Sequence, residues 1–108
     1  MSLEAKLTQL KNKMNDEPKY YDGMTSSFVF KITDLEEIWS VDFNGNHVEL
    51  FNHKLESPTC ILKMDSNHFN KLLEGNLNAT TAFMMGKIKA EGDLSKALKL
   101  QKILTNYQ

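Results

Sequence analysis

Ala82-Phe83-Met84-Met85-Gly86-Lys87-Ile88-Lys89-Ala90-Glu91-Gly92-Asp93, running on through Leu94-Ser95-Lys96-Ala97-Leu98-Lys99-Leu100-Gln101, carries three structural elements in succession. Thr81 to Met85 is short and apolar and stops at Gly86, as a helix does when the glycine after it takes a left-handed backbone. Lys87 to Glu91 alternates polar and apolar, with Ile88 and Ala90 to one side, which is the period of a strand. Gly92-Asp93 supplies a turn glycine and a carboxylate able to accept from the free N–H groups of a helix predicted from Leu94 onward. On a helical wheel Leu94, Ala97, Leu98, Leu100, Ile103, Leu104 and Tyr107 spread over roughly 220°, against about 100° for an ordinary surface helix, so this helix meets more than one neighbour. Gln101 falls near the middle of that arc. An amide there is either bonded to backbone or water, or makes a polar contact inside a ligand cavity.

The rest of the chain supplies the partners of this segment. Ser2 is a plausible N-cap, and Leu3, Leu7, Leu10 and Met14 repeat at helical spacing, predicting a first helix that ends at Asn15-Asp16-Glu17-Pro18. Lys19 to Ser27 reads as loop. Phe28, Phe30 and Ile32 face one side of a first strand, and Trp39, Val41 and Phe43 one side of a second. Asn44-Gly45 is a strong hairpin signal, and a third strand runs from about His47 to Phe51. After a loop over Asn52 to Pro58, Thr59 to Met64 forms a fourth strand with Cys60, Leu62 and Met64 inward. Asp65 or Ser66 then caps a helix bearing Phe69, Leu72 and Leu73, which stops at Gly75, and Leu77-Asn78 is the break before the next helix. Strands first and helices later predict an α+β domain spanning residues 1–108: a five-stranded, mainly antiparallel sheet with helices on one face.

Composition narrows the function classes. No apolar run approaches the roughly 18 residues of a membrane span, and the N-terminus lacks the apolar core of a signal peptide. The lone Cys60 has no disulfide partner and, within an apolar strand, reads as a small buried hydrophobe. A reducing cytoplasm fits both features. Net charge is -1, yet Gly86 to Gln108 holds five lysines (Lys87, Lys89, Lys96, Lys99 and Lys102) against Glu91 and Asp93. These lysines either solvate an exposed face or give transient contact with an anionic membrane or lipid headgroup. All 13 basic residues are lysine, so the bidentate fork of a dedicated phosphate site is missing. Nucleic acid is excluded by the overall charge and the lack of a recognition motif. There is no G-x-S-x-G elbow and no phosphate loop, and His47, His53 and His68 lack ligand spacing; the reading contains no catalytic residue, no metal site and no cofactor.

Thr81-Ala82-Phe83-Met84-Met85-Gly86-Lys87-Ile88-Lys89-Ala90-Glu91-Gly92-Asp93 with Ala97-Leu98-Lys99-Leu100-Gln101 resembles the C-terminal signature of the sterol carrier protein type 2 family. Phe28-Val29-Phe30-Lys31-Ile32 and Trp39-Ser40-Val41-Asp42-Phe43-Asn44-Gly45 resemble its first hairpin, and Cys60-Ile61-Leu62-Lys63-Met64-Asp65 its fourth strand. The resemblance covers nearly the whole chain and implies a lipid-binding fold with an apolar tunnel and no catalytic chemistry. It carries the tunnel over to Phe28, Phe30, Trp39, Val41 and Leu62 on the sheet and to Phe83, Met84, Leu94, Leu98 and Gln101 on the covering helices, with Gln101 as the polar contact. The ending Asn106-Tyr107-Gln108 departs from the small-basic-leucine tripeptide that sends animal members to peroxisomes. That points to a free-standing, cytoplasmic, bacterial-type member, for which fatty acids, fatty acyl-CoA or phospholipids are better ligands than sterol. Two other readings stay open: a protein-interaction or dimerisation domain with a closed core, and an enzyme acting on acyl thioesters.

Overall fold

A computed structural model describes residues 2–108. Helix α1 (Leu3–Asp16) begins where Ser2 Oγ accepts from the Ala5 N–H at 3.1 Å, which satisfies one of the otherwise unpaired donors of the first turn. It buries Leu3, Leu7 and Met14. A short 3-10 turn, Pro18–Tyr20, follows, and the sheet is laid down by β1 (Met24–Ile32), β2 (Glu37–Gly45), β3 (Val48–Phe51) and β4 (Cys60–Met64). Three helices and the last strand complete the chain: α2 (Ser66–Leu73), α3 (Ala79–Met84), β5 (Lys89–Gly92) and α4 (Leu94–Leu104).

The sheet order is β3-β2-β1-β4-β5. All neighbouring pairs are antiparallel except β1 with β4, which run parallel, with Phe28 opposite Cys60 and Phe30 opposite Leu62. Parallel neighbours need a crossover. Here residues 52–59 return across the face opposite the helices, where the Ser40 hydroxyl donates to the His53 carbonyl and Val29 and Ser40 are fully buried. The other face carries Phe28, Phe30, Trp39, Phe43, Leu62 and Met64 into a core closed by the buried sides of the helices. The Phe28 and Phe43 rings in that core meet edge-on, 5.9 Å apart at 89°, an arrangement their quadrupoles favour.

Two boundaries differ from the sequence reading. Strand β1 starts at Met24 inside the segment expected to be loop, because Met24 to Ser27 pair with Asp42 to Gly45 across the hairpin. Three consecutive polar residues, Thr25-Ser26-Ser27, hide that strand from any test of apolar alternation. Strand β5 spans Lys89–Gly92 and excludes Ile88, whose N–H, like that of Lys87, turns back to the Ala82 carbonyl. Ile88 is therefore buried by a turn, whereas Ala90, opposite Leu62, is exposed.

Carboxylates fix the starts of α2 and α4. Asp65 accepts from the His68 N–H at 2.8 Å, and Asp34 from the β1–β2 turn accepts from the Ser66 N–H at 2.8 Å. These bonds hold both carboxyls below the usual range, from the His68 backbone for Asp65 and the Ser66 hydroxyl for Asp34. Asp93 accepts from the Ser95 N–H at 3.0 Å and starts α4.

The C-terminus is tied to both ends of the helical layer. The Tyr107 hydroxyl donates to the Glu17 carbonyl at 2.6 Å, and the Gln108 amide donates to the Leu73 and Leu104 carbonyls. Burial pushes the Tyr107 phenol from 10.0 up to about 12. The unfolded chain thus ionises this group first, so stability is fully present below about pH 10 and falls as pH rises toward about 12. Urea midpoints measured across that window should drop, and Tyr107→Phe should flatten the dependence while lowering stability at neutral pH through loss of the Glu17 bond.

Candidate functional site

Between α1, α4 and the helix-facing side of the sheet lies an apolar cavity. Leu7, Leu10 and Met14 come from α1 because they recur on one helical face; Phe30, Val41, Phe43, Val48 and Leu50 come from β1, β2 and β3; Leu73 closes it from α2, and Leu100 and Leu104 from α4. Its volume is about 30 Å³, a small fraction of the roughly 150 Å³ of an engineered cavity that takes up benzene. Water there would find few polar partners, since the wall consists of eleven apolar side chains and one charged one, Lys11. Lys11 is half-buried on α1. Its side chain also borders an outer recess with Glu4, Thr8, Trp39 and His53, as a lysine does when its stem packs on apolar surface and its ammonium reaches for solvent.

The side chains carried over by the family resemblance fall into three groups. Phe30 and Val41 line the cavity. Phe28, Trp39 and Leu62 are buried in the same core without reaching it, and Phe83 packs half-buried against that core from α3. Leu98 and Gln101 are half-buried on α4, while Leu94 is 44% and Met84 84% exposed. No buried side-chain nitrogen or oxygen among the described residues lacks a hydrogen-bond partner. Of the basic residues, Lys87 and Lys89 are exposed beside the start of β5, Lys99 and Lys102 on α4, and Lys96 is half-exposed.

The sequence reading missed the contribution of α1. The stripe Leu3, Leu7, Leu10, Met14 was legible as an amphipathic face, but nothing in its spacing says that a void remains above it. Lys11 adjoins that stripe, and only the packed structure makes it part of the wall.

Other chemistry is sparse. The described residues contain no group of three or more His, Cys, Asp or Glu able to hold a metal ion. Cys60 is fully buried and burial pushes its thiol up, so it is not poised as a nucleophile. No helix among the described residues is long and apolar enough to cross a membrane.

A mixed sheet with one face covered by helices over an apolar interior defines an α+β domain. The chain matches the model of the SCP-2 sterol transfer family over residues 6–105 and belongs to that family. It is 43% identical over 74 residues to a fatty acid-binding protein of Yarrowia lipolytica, covering 67% of this chain and 57% of that protein. It is 50% identical over 44 residues to hydroxysteroid dehydrogenase-like protein 2 of Xenopus tropicalis, covering 41% of this chain. The chain spans only 11% of that relative's length. Among solved structures, palmitated SCP2L2 from Aedes aegypti superposes with a TM-score of 0.74 at 23% identity, covering 97% of this chain and 96% of that one, a likeness of fold.

Proposed function

We propose that this domain is a non-enzymatic carrier that holds one flexible lipid chain, a fatty acid, fatty acyl-CoA or related lipid, between the sheet and helices α1 and α4. The observation that carries the reading is the cavity wall: eleven apolar side chains and the stem of one lysine, Lys11, which also borders an outer recess where its charge can meet an anionic end. Such a lining fits a hydrocarbon with one anionic end. Small-molecule sites commonly enclose about 300–1,000 Å³, so a void of about 30 Å³ admits a chain only when α1 and α4 ease away from the sheet. Burying about ten methylenes contributes about 8 kcal/mol at about 0.8 each, enough to offset a substantial repacking cost. A rigid sterol needs a wide cavity at once, whereas an acyl chain can enter a narrow one progressively. Loading occurs at an anionic membrane, with lysines such as Lys87, Lys89, Lys96, Lys99 and Lys102 available to assist.

The test is titration of delipidated protein with a fluorescent fatty acid, followed by competition with palmitate, its coenzyme A thioester, a phospholipid and a sterol. Saturable one-to-one binding is expected, displaced by palmitate and its thioester and weakly by sterol. A ligand at a hundred times its dissociation constant should add about 2.7 kcal/mol to stability. Absence of saturable binding with unchanged melting would overturn the carrier role. The smallness of the cavity would then favour the second reading, a closed-core domain retained for contact with another protein.

A further inference from the structure

The back face of the sheet carries an arrangement that packing does not explain. Lys31 of β1 is the direct cross-strand partner of Lys63 of β4, and Lys63 is the partner of Lys89 of β5. Residues directly opposite share one face of a sheet, and like charges placed so repel. None of the three lies within ion-pair distance of a carboxylate among the described residues, whose ion pairs involve other groups. A lysine at the free edge of β5 is explained by protection against edge-to-edge pairing. Lys31 and Lys63 have no such duty, since β1 is the central strand and β4 is covered on both sides.

The row adjoins a second anomaly. Lys63 and Lys89 line one surface depression with Lys87 and Gly86, the residue that follows Met85. Met84 and Met85, at the end of α3, are 84% and 65% exposed, the two most exposed large apolar side chains among the described residues. Asp65 also borders the depression, but its carboxylate is engaged by the backbone and ring of His68. Two flexible apolar side chains therefore stand beside a group of unpaired ammonium groups. That pairing matches a bilayer of anionic lipid, which offers an apolar interior beneath a negative surface.

We infer that the corner formed by Met84, Met85, Lys63, Lys87 and Lys89, extended by Lys31, is the membrane-docking surface of this protein. The two methionines enter the headgroup boundary and the lysine row meets anionic headgroups. This rests on the carrier reading, which needs a membrane as source or destination, but of the five lysines named there it keeps only Lys87 and Lys89, adds Lys63 and Lys31, and leaves out those of α4.

Partition onto phosphatidylcholine vesicles, with and without phosphatidylserine at about a third of the lipid, tests it. The wild-type chain should bind only the anionic vesicles, and less at high salt. Lys63→Glu with Lys89→Glu should lower partition about tenfold or more, and Met84→Ser with Met85→Ser about fivefold, while Lys99→Glu with Lys102→Glu on α4 should change it less than about twofold. Fatty-acid affinity measured without vesicles should stay at the wild-type value in the Lys63 and Lys89 variant. Wild-type partition indifferent to phosphatidylserine, unchanged partition in the Lys63 and Lys89 variant, or a larger loss in the α4 variant would each overturn the assignment. Failure of the wild type to bind fatty acid in solution would instead strike the carrier reading, leaving the vesicle comparison intact.

Discussion

Gly92→Ala lowers the stability of the folded chain by about 3 kcal/mol or more, a fall of roughly 13 °C or more in melting temperature for a chain of this size. Two independent causes act at this position. The backbone of Gly92 has φ +98°, which side-chain-bearing residues rarely adopt, and a Cβ there would stand 2.4 Å from the Thr59 carbonyl oxygen and 3.2 Å from the Cys60 Cα. Both obstacles are backbone, so no rotamer change relieves them. The same Thr59 carbonyl accepts the Asp93 N–H at 3.1 Å, and Gly92 is the register partner of Cys60. Moving the chain aside would disturb the end of β5 and the carboxylate that starts α4. Gly86→Ala is the control, because Gly86 has φ +72° but nothing within 4 Å of an added Cβ; its cost should be that of the backbone conformation alone, about 1–2 kcal/mol. Urea midpoints for the two variants decide the matter, and equal losses would show that close approach to β4 contributes nothing.

Local chemistry in the sequence was a good guide wherever a feature is satisfied by its own neighbours. Ser2, Asp65 and Asp93 each accept from a helix N–H two or three residues on, so the cap is written next to the helix it starts. Asn44-Gly45 announced the β2–β3 hairpin for the same reason. Features decided by distant contacts were not legible. The parallel pairing of β1 with β4 depends on residues 52–59 crossing the back of the sheet, a path held by the Ser40–His53 bond and by no turn signal. The wide apolar arc of α4 identified a helix with several neighbours, yet could not say that Leu94 would finish outside and Leu100 beside a void. A tunnel is harder still. Its volume is the small difference between the space among elements and the side chains filling it, so residue type alone does not reveal it. The lysine row illustrates the same limit: Lys31, Lys63 and Lys89 are far apart in sequence and become neighbours only through sheet register.

Leu100→Ala should cost about 2–5 kcal/mol in the ligand-free protein, because Leu100 is buried and the surrounding core will close only partly over the space it leaves. That space joins the existing cavity, since Leu100 forms part of its wall. A lipid chain occupying the same volume replaces the lost contacts, so saturating palmitate should stabilise Leu100→Ala by more than it stabilises the wild-type chain. Leu62→Ala makes the comparison decisive. It is the same truncation at an equally buried position on β4, but Leu62 does not line the cavity. Its apo-state loss should fall in the same range, with no extra recovery on adding palmitate beyond the wild-type shift. Melting curves of the three proteins with and without palmitate separate two placements of the chain. Extra recovery confined to Leu100→Ala puts it against α1 and α4. Extra recovery confined to Leu62→Ala would put it among Phe28, Trp39 and Leu62, toward Phe83 of α3, residues that the family resemblance also assigns to the tunnel. In that case α3 would have to swing outward to admit the chain, carrying Met84 and Met85 with it.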